Sequence, residues 1–278
     1  MNPGERWRAA LEARAIPQEL IDAAPESPWG FPREVFEARG ARVIDPAAGV
    51  SPTTDRATEA TPEGGIVLDV GVGGGATSLP LATRAGTIIG VDGQPDMLEA
   101  FTSTATAAGV RAIAVEGRWP DVAPAVPVAD VVMSGHTLYN APDLEPFVLA
   151  LHDHALQRVV LEATGRHPLG WMADLWRIFH GLDIPDEPRV ELAIEVMGSI
   201  GIEPRRHDRP GGDDDPAGGG FTTRDAAVAL VRTRLCLRPD DDAAIADALG
   251  SRLRLRNGRW SAGPHERTVV TLWWDRAA

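Results

Sequence analysis

The stretch Ile66 to Thr77 reads I-V-L-D-V-G-V-G-G-G-A-T, and its punctuation decides how the chain is read. An apolar run ending in Asp69 and Val70 breaks into Gly71, Gly73, Gly74 and Gly75, and Ala76 to Arg84 then resumes with helical character. The pattern predicts strand, glycine loop and helix. A tight turn off a buried strand needs backbone angles that glycine reaches at little cost, and a ligand lying against the main chain tolerates no Cβ. Unpaired N–H groups at the start of the following helix would face that ligand.

A second β-rich run, Thr87 to Val91 (T-I-I-G-V), ends in Asp92. An acidic residue at the tip of the second strand, about 20 residues past the glycine loop, is where a ribose presents its hydroxyls to a carboxylate. Together the two features point to an adenosine-containing ligand.

V-L-D-V-G-V-G-G-G followed by G-V-D-G-Q-P-D-M-L resembles the first two motifs of class I S-adenosylmethionine-dependent methyltransferases. The resemblance extends over roughly Ile66 to Glu162. It implies that Asp69 precedes the turn, that Gly71 and Gly73 let the loop lie against the methionine part, and that Asp92 holds the ribose. It extends the cofactor contacts to Val72, Gly93, Met97, Gly117, Arg118, Trp119, Ser134 and Gly135. A nicotinamide enzyme would more typically show G-x-G-x-x-G, whereas here the third glycine is compressed into G-x-G-G-G.

Two positions carry alternatives. Met97 is either core or a cover for the adenine, since Q-P-D-M-L is similar to the family's D-x-S-x-x-M-L. Where the family places an acidic residue after Gly117, this chain has Arg118. Glu116 or a carbonyl then reads the adenine, or the ring is held by stacking on Trp119 or Arg118.

The fourth strand, Val128 to Ser134, is almost uninterrupted in its apolar character, as a parallel strand covered on both faces should be. Beyond it stand Gly135, His136, Thr137, Leu138, Tyr139 and Asn140. Ligands of open parallel sheets bind outside the carboxyl ends of the strands, so His136 and Tyr139 are the candidate catalytic residues. We expect His136 to act as general base and Tyr139 to orient the acceptor; the alternative is that His136 only hydrogen-bonds a neighbouring loop. S-G-H-T-L-Y-N lacks the N/D-P-P-Y/F signature of amino-methylating enzymes that act on adenine, cytosine or glutamine. It resembles the looser H-x-L-Y/H of methyltransferases acting on small metabolites.

The rest of the chain frames this core. Trp7 to Arg14 and Pro17 to Ala24 read as short amphipathic helices. Pro25 to Pro32 holds Trp29 and Phe31 as an aromatic plug or a lid. Asp45 to Gly65 reads as a linker. Pro95 to Ala108 is a helix with Asp96 as cap, Arg111 to Val115 the third strand, Asp143 to His154 a helix and Arg158 to Glu162 the fifth strand. His152 and His154, two apart on that helix, cannot chelate a metal together and are expected at the surface. His167, Trp171 and His180 are secondary candidates for substrate contact. Pro188 to Gly198 is a helix and Ile202 to His207 the sixth strand. Asp208 to Gly220 reads as a solvated loop whose Asp213 to Asp215 form no metal site. Thr222 with Asp225 reads as a capping box, Pro239 to Leu249 as a helix, Asn257-Gly258 as a hairpin turn and Thr268 to Trp274 as the last strand.

The expected architecture is α/β, a Rossmann-like three-layer sandwich with a mostly parallel seven-stranded sheet and helical additions. Its parts are an N-terminal helical cap (1–45), a linker (46–65), the S-adenosylmethionine-binding core (66–207), a loop and helical insertion (208–265) and the final core strand (266–278).

The formal charge of −13 argues against nucleic acid as partner, because phosphate binding needs a basic footprint. The sequence contains no lysine, so all 27 fixed basic side chains are arginines and none can form a Schiff base. A single cysteine, Cys236, rules out an internal disulfide and any zinc site built on several thiolates. No run resembles a membrane span or a secretory signal, which places the chain in the cytoplasm; oligomeric state is left open. The function expected is methyl transfer from S-adenosylmethionine, with S-adenosylhomocysteine as product, to a small-molecule acceptor and without a metal. The alternatives are an RNA or protein acceptor, or a non-catalytic protein that binds S-adenosylmethionine.

Overall fold

The computed structural model describes residues 1–29, 51–211 and 220–276. Before the sheet come α1 (Pro3–Glu12), α2 (Gln18–Ala23) and α3 (Pro52–Ala60). The core then runs β1 (Gly65–Val70), β2 (Ala85–Asp92), α4 (Pro95–Ala107), β3 (Arg111–Glu116), β4 (Ala129–Gly135), α5 (Leu144–His154) and β5 (Ala155–Thr164). After it come α6 (Ala173–His180), α7 (Val190–Ser199), β6 (Arg205–Gly211), α8 (Arg224–Arg234) and α9 (Asp242–Leu249). A hairpin, β7 (Leu253–Arg256) and β8 (Arg259–Ala262), precedes β9 (Arg267–Asp275).

The seven strands lie in the order β3-β2-β1-β4-β5-β9-β6. The pairs from β3 to β5 are parallel, and β9 slots between β5 and β6 antiparallel to both. The order reverses at β1, so the crevice beyond the carboxyl ends of β1 and β4 is the topological switch point where such sheets bind ligands.

Alternation along the strands divides the core into two layers. Leu68 and Val70 face one side with α1, α5 and α7, where Trp7, Phe147, Val148, Val196 and Met197 are buried. Val67, Val131 and Val160 face the other, under Ala57 of α3 and Leu98, Phe101 and Ala105 of α4. Asp69 stands two residues past Val67 and Glu162 two past Val160, so both carboxylates fall on this second face. A third cluster joins α6, α8 and α9 through Leu175, Trp176, Val228, Val231 and Ile245, with Ile16 and Leu20 from the N-terminal segment packed against it.

Several expectations give way to the backbone. Ala76 to Arg84 is turns with one 3₁₀ turn, Leu79–Leu81, rather than an α-helix. Pro80 lacks an N–H and would clash with the carbonyl four residues back, which forbids a continuous helix. The supposed linker contains α3, capped by Ser51 and opened by Pro52. Asp96 lies in the first turn of α4 without capping it, the N-cap being Gln94. Thr223, not Thr222, caps α8 by accepting from the Ala226 N–H. β6 extends to Gly211, so the supposed loop begins as ladder; Asp213 to Asp215 lie outside the described residues.

Trp29 is 56% exposed and plugs no core, and Phe31 lies outside the described residues. His152 and His154 are half-buried instead of superficial. His152 accepts from Trp274 Nε1, and the His154 ring joins the carbonyls of Ala150 and Ala123. The Asn257-Gly258 turn is as expected, both residues having positive φ. No helix among the described residues is long and apolar enough to cross a membrane.

Candidate active site

The glycine loop leaves β1 with Gly71 (φ +71°), Gly73 (φ +50°) and Gly75 (φ +84°) in the left-handed region. A Cβ on Gly71 would stand 2.2 Å from Thr137 Cγ2, whereas one on Gly73 or Gly74 would meet nothing within 4 Å. The first of these glycines therefore permits close contact with the β4 end, and the next two bare the main chain to open space. Asp92, at the end of β2, accepts from the Gly73 N–H (2.9 Å) and the Gln94 N–H (3.0 Å), holding the loop to the second strand.

Asp69 is fully buried, and among the described residues neither of its oxygens nor the Ser78 hydroxyl has a hydrogen-bond partner. Burial pushes the Asp69 carboxyl up to about 7, partly offset by nearby Ser78 and reinforced by the charge of Asp92. Buried polar groups are normally satisfied. An orphaned carboxyl beside bare loop backbone fits a ligand that brings its own cation, as the ammonium of a methionyl group does.

The β4 end closes against this loop. Ser134 donates to the Val70 carbonyl (2.8 Å) and bonds the Thr137 hydroxyl, and a Cβ on Gly135 would stand 2.2 Å from Thr77 Oγ1. His136 follows with φ +58°, a left-handed conformation uncommon for a side chain of this size. Its backbone N–H donates to the Glu162 carbonyl (2.7 Å), and its Nε2 lies 3.1 Å from Glu162 Oε1. The other oxygen, Oε2, accepts from the Thr53 hydroxyl (2.6 Å), which also bonds Thr271 (2.8 Å), and lies 3.6 Å from Arg209. Burial would raise the Glu162 carboxyl, but hydrogen bonding and charge from His136, the Thr53 hydroxyl and the Arg209 charge hold it down at about 2. The side chain of His136 stays about one-third exposed, whereas that of Glu162 is buried.

The candidate residues sort accordingly. Asp69, Gly71, Val72, Gly73 and Asp92 gather at the β1 and β2 tips. Gly93 and Gly117 lie close together, a Cβ on Gly93 finding Gly117 O at 3.9 Å and the Gly117 N–H donating to the Asp92 carbonyl. Met97 is half-buried and Arg118 exposed. Ser134, Gly135 and His136 line the β4 end.

Two positions are corrected. Trp119 is 8% exposed in the α1, α5 and α7 layer, its Nε1 donating to the Phe147 carbonyl, so it offers no face to an adenine. Tyr139 is 5% exposed, donates to the Thr164 carbonyl (2.6 Å) and stacks on Trp7 at 5.5 Å. Burial pushes its phenol further above its usual range. Tyr139 anchors α1, whose Trp7 reaches on to the Ala141 carbonyl (2.8 Å), and its hydroxyl is engaged by the Thr164 carbonyl.

Of the secondary candidates, His180 bonds the Leu235 carbonyl and Trp171 lies against Arg252, both within the α6, α8 and α9 layer. His167 packs edge-on to Tyr139, and burial holds it down at about 3 with help from the Arg14 charge. Sequence reasoning missed Glu162, Thr53, Thr271 and Arg209. Glu162 did carry a signal: like Asp69 and Asp92, it is a lone acid at the carboxyl end of an apolar parallel strand.

The methyltransferase-domain family model matches residues 67–155. None of the curated proteins matches the sequence. Among solved structures, a Bacillus halodurans C-125 protein assigned as a methyltransferase is 12% identical, with 82% of this chain and 100% of that one covered and a TM-score of 0.52. A cyclopropane-fatty-acyl-phospholipid synthase-like protein from Lactobacillus casei ATCC 334 is 15% identical, with 97% and 99% covered and a TM-score of 0.50. The magnesium protoporphyrin IX methyltransferase of Synechocystis PCC 6803, with S-adenosylhomocysteine bound, is 14% identical, with 88% and 90% covered and a TM-score of 0.48. At these identities the first two likenesses speak to the fold alone; the family match speaks to the chemistry. Residues 67–155 form a methyltransferase domain, the part of the chain that carries the glycine loop, Asp92 and the β4 end.

Proposed function

We propose that the acceptor is a small molecule seated beyond the β4 and β5 ends, and that His136 receives its proton. The observation that carries this reading is the contact of the β4 end with the glycine loop, Thr137 against Gly71 and Thr77 against Gly135. His136, its imidazole about one-third exposed, stands in sequence between Gly135 and Thr137, the two β4-end residues that meet the loop segment. The sulfonium, when bound, supplies an already activated methyl group. The protein's task is therefore to align the acceptor, exclude water and accept a proton where the acceptor carries one. In this reading Asp69 meets the methionyl ammonium, Asp92 the ribose and Met97 the adenine. The net charge of −13 favours a small acceptor over RNA.

Calorimetric titration of S-adenosylmethionine and S-adenosylhomocysteine into the wild type and Asp92→Ala tests the cofactor half. We expect binding near ~1 μM, about 8 kcal/mol, to be lost in the variant. Incubating the wild type with methyl-tritiated cofactor and a fractionated extract tests the acceptor half. Label in the low-mass fraction supports the reading; label confined to RNA or protein overturns it.

A further inference from the structure

His136 is tied to one residue at both ends, its backbone N–H to the Glu162 carbonyl (2.7 Å) and its Nε2 to the Glu162 carboxylate (3.1 Å). The double tie holds a left-handed histidine in a single orientation. Glu162 is itself fixed from the opposite side by Thr53 of α3 (2.6 Å), which is braced by Thr271 of β9 (2.8 Å). Arg209 of β6 balances its charge. A carboxylate held down at about 2 is ionised at neutral pH and only accepts, so the proton between the two groups belongs to Nε2. Nδ1 has no hydrogen-bond partner among the described residues.

A buried carboxylate on one imidazole nitrogen fixes the tautomer and stabilises the imidazolium that forms when the other nitrogen takes a proton. We propose that Glu162 is a positioning residue that holds His136 as its Nε2–H tautomer and thereby selects acceptors bearing an un-ionised hydroxyl, whose proton Nδ1 receives; this rests on the small-molecule methyltransferase reading. In that step the acceptor's O–H bond breaks, the proton goes to Nδ1 and the oxygen's electron pair forms the new O–CH₃ bond. The C–S pair returns to sulfur and cancels its positive charge. An acceptor already ionised, such as a thiolate, would gain little from this pair.

The test uses the full chain as wild type, Glu162→Gln, Glu162→Asp and His136→Asn. The aspartate keeps a carboxylate for Thr53 and Arg209 while drawing back from Nε2, and asparagine tolerates the left-handed backbone. Long-range ¹H–¹⁵N correlation reads the His136 tautomer with no acceptor present. We expect Nε2–H in the wild type, bare and with S-adenosylhomocysteine, and mixed tautomers in both Glu162 variants. An Nδ1–H or mixed tautomer in the wild type overturns the proposal.

Tritiated methyl transfer to phenol and to thiophenol supplies the second readout. The phenol-to-thiophenol rate ratio should fall about 100-fold in Glu162→Asp and His136→Asn, the scale of general-base catalysis. An unchanged ratio with an altered tautomer also overturns it, and the tautomer decides alone if neither probe is methylated. Calorimetry of S-adenosylhomocysteine on the same samples separates the two levels. No binding to the wild type defeats the methyltransferase reading, whereas binding with the wrong tautomer defeats only the role of Glu162.

Discussion

At the ends of β1 and β2 the surface is main chain, with Gly73 and Gly74 bare and one buried carboxyl, Asp69, that has no hydrogen-bond partner among the described residues. At the ends of β4 and β5 it is side chain, a histidine and a glutamate braced by threonines and an arginine from three further elements. Among the described residues the first half leaves Asp69 and Ser78 without hydrogen-bond partners, whereas in the second both Glu162 oxygens are bonded and His136 Nδ1 has no partner. A site of this construction can keep its donor chemistry constant while the acceptor side is altered residue by residue.

Gly71→Ala should break both halves at once. Its Cβ would enter Thr137 at a left-handed backbone position, so we expect cofactor affinity to fall at least ~100-fold, alongside a loss of stability on the order of 2 kcal/mol. Calorimetry and thermal unfolding on one preparation would show it; a variant that binds normally would mean the two halves do not touch as described.

Glu162 should stabilise the acceptor half on its own. Its folded pKa, about 2, lies below the ordinary 4.5, so its contribution is complete above 4.5 and is lost as pH falls through 2. That contribution is about 3 kcal/mol. Acid unfolding of the wild type followed by circular dichroism should steepen in that window, and Glu162→Gln should flatten it.

His136→Asn sharpens the contrast in the other direction. Turnover of a hydroxyl acceptor should fall about 100-fold while the Kd for S-adenosylhomocysteine stays within about twofold. Equal loss of both would assign His136 to the donor half.

The smallest effect is electrostatic. Asp69 is pushed up to about 7, so below that pH a ligand ammonium must displace its proton. Cofactor affinity should rise as pH climbs from 6 to 7, by up to about tenfold, and level off above. Asp69→Asn should bind more weakly and lose the slope in a calorimetric pH series.

The glycine loop and its tie to Asp92 were legible because their logic is local. Strand, glycines and the acid after the next strand occupy one short stretch, and each residue type has a backbone reason to be there. The sheet was legible for the same reason, from the apolar runs that become β1 to β5 and β9. The other half joins Thr53, His136, Glu162, Arg209 and Thr271, residues that share no spacing and come from five segments; Thr271 and Arg209 join only because β9 lies between β5 and β6. Thr53 was hidden in a segment whose Pro, Thr and Ala content reads as linker until Ser51 and Pro52 are seen to start α3. Trp119 and Tyr139 misled because strand-end position says which edge a residue occupies and not which layer its side chain enters. Tyr139 turns toward Trp7, a partner more than a hundred residues earlier.

The place of β9 also sets an order of assembly. Of the seven strands it leaves the ribosome last, yet it lies between two strands made before it. The β1, β2 and β4 half can pair as it emerges, whereas β6 has no neighbour until β9 arrives. Thr271 and Arg209 reach Glu162 only then. A nascent chain can thus hold a finished donor loop before its acceptor side is complete, and reading methyl-donor binding and Glu162-dependent stability on stalled chains of increasing length would separate the two events in time.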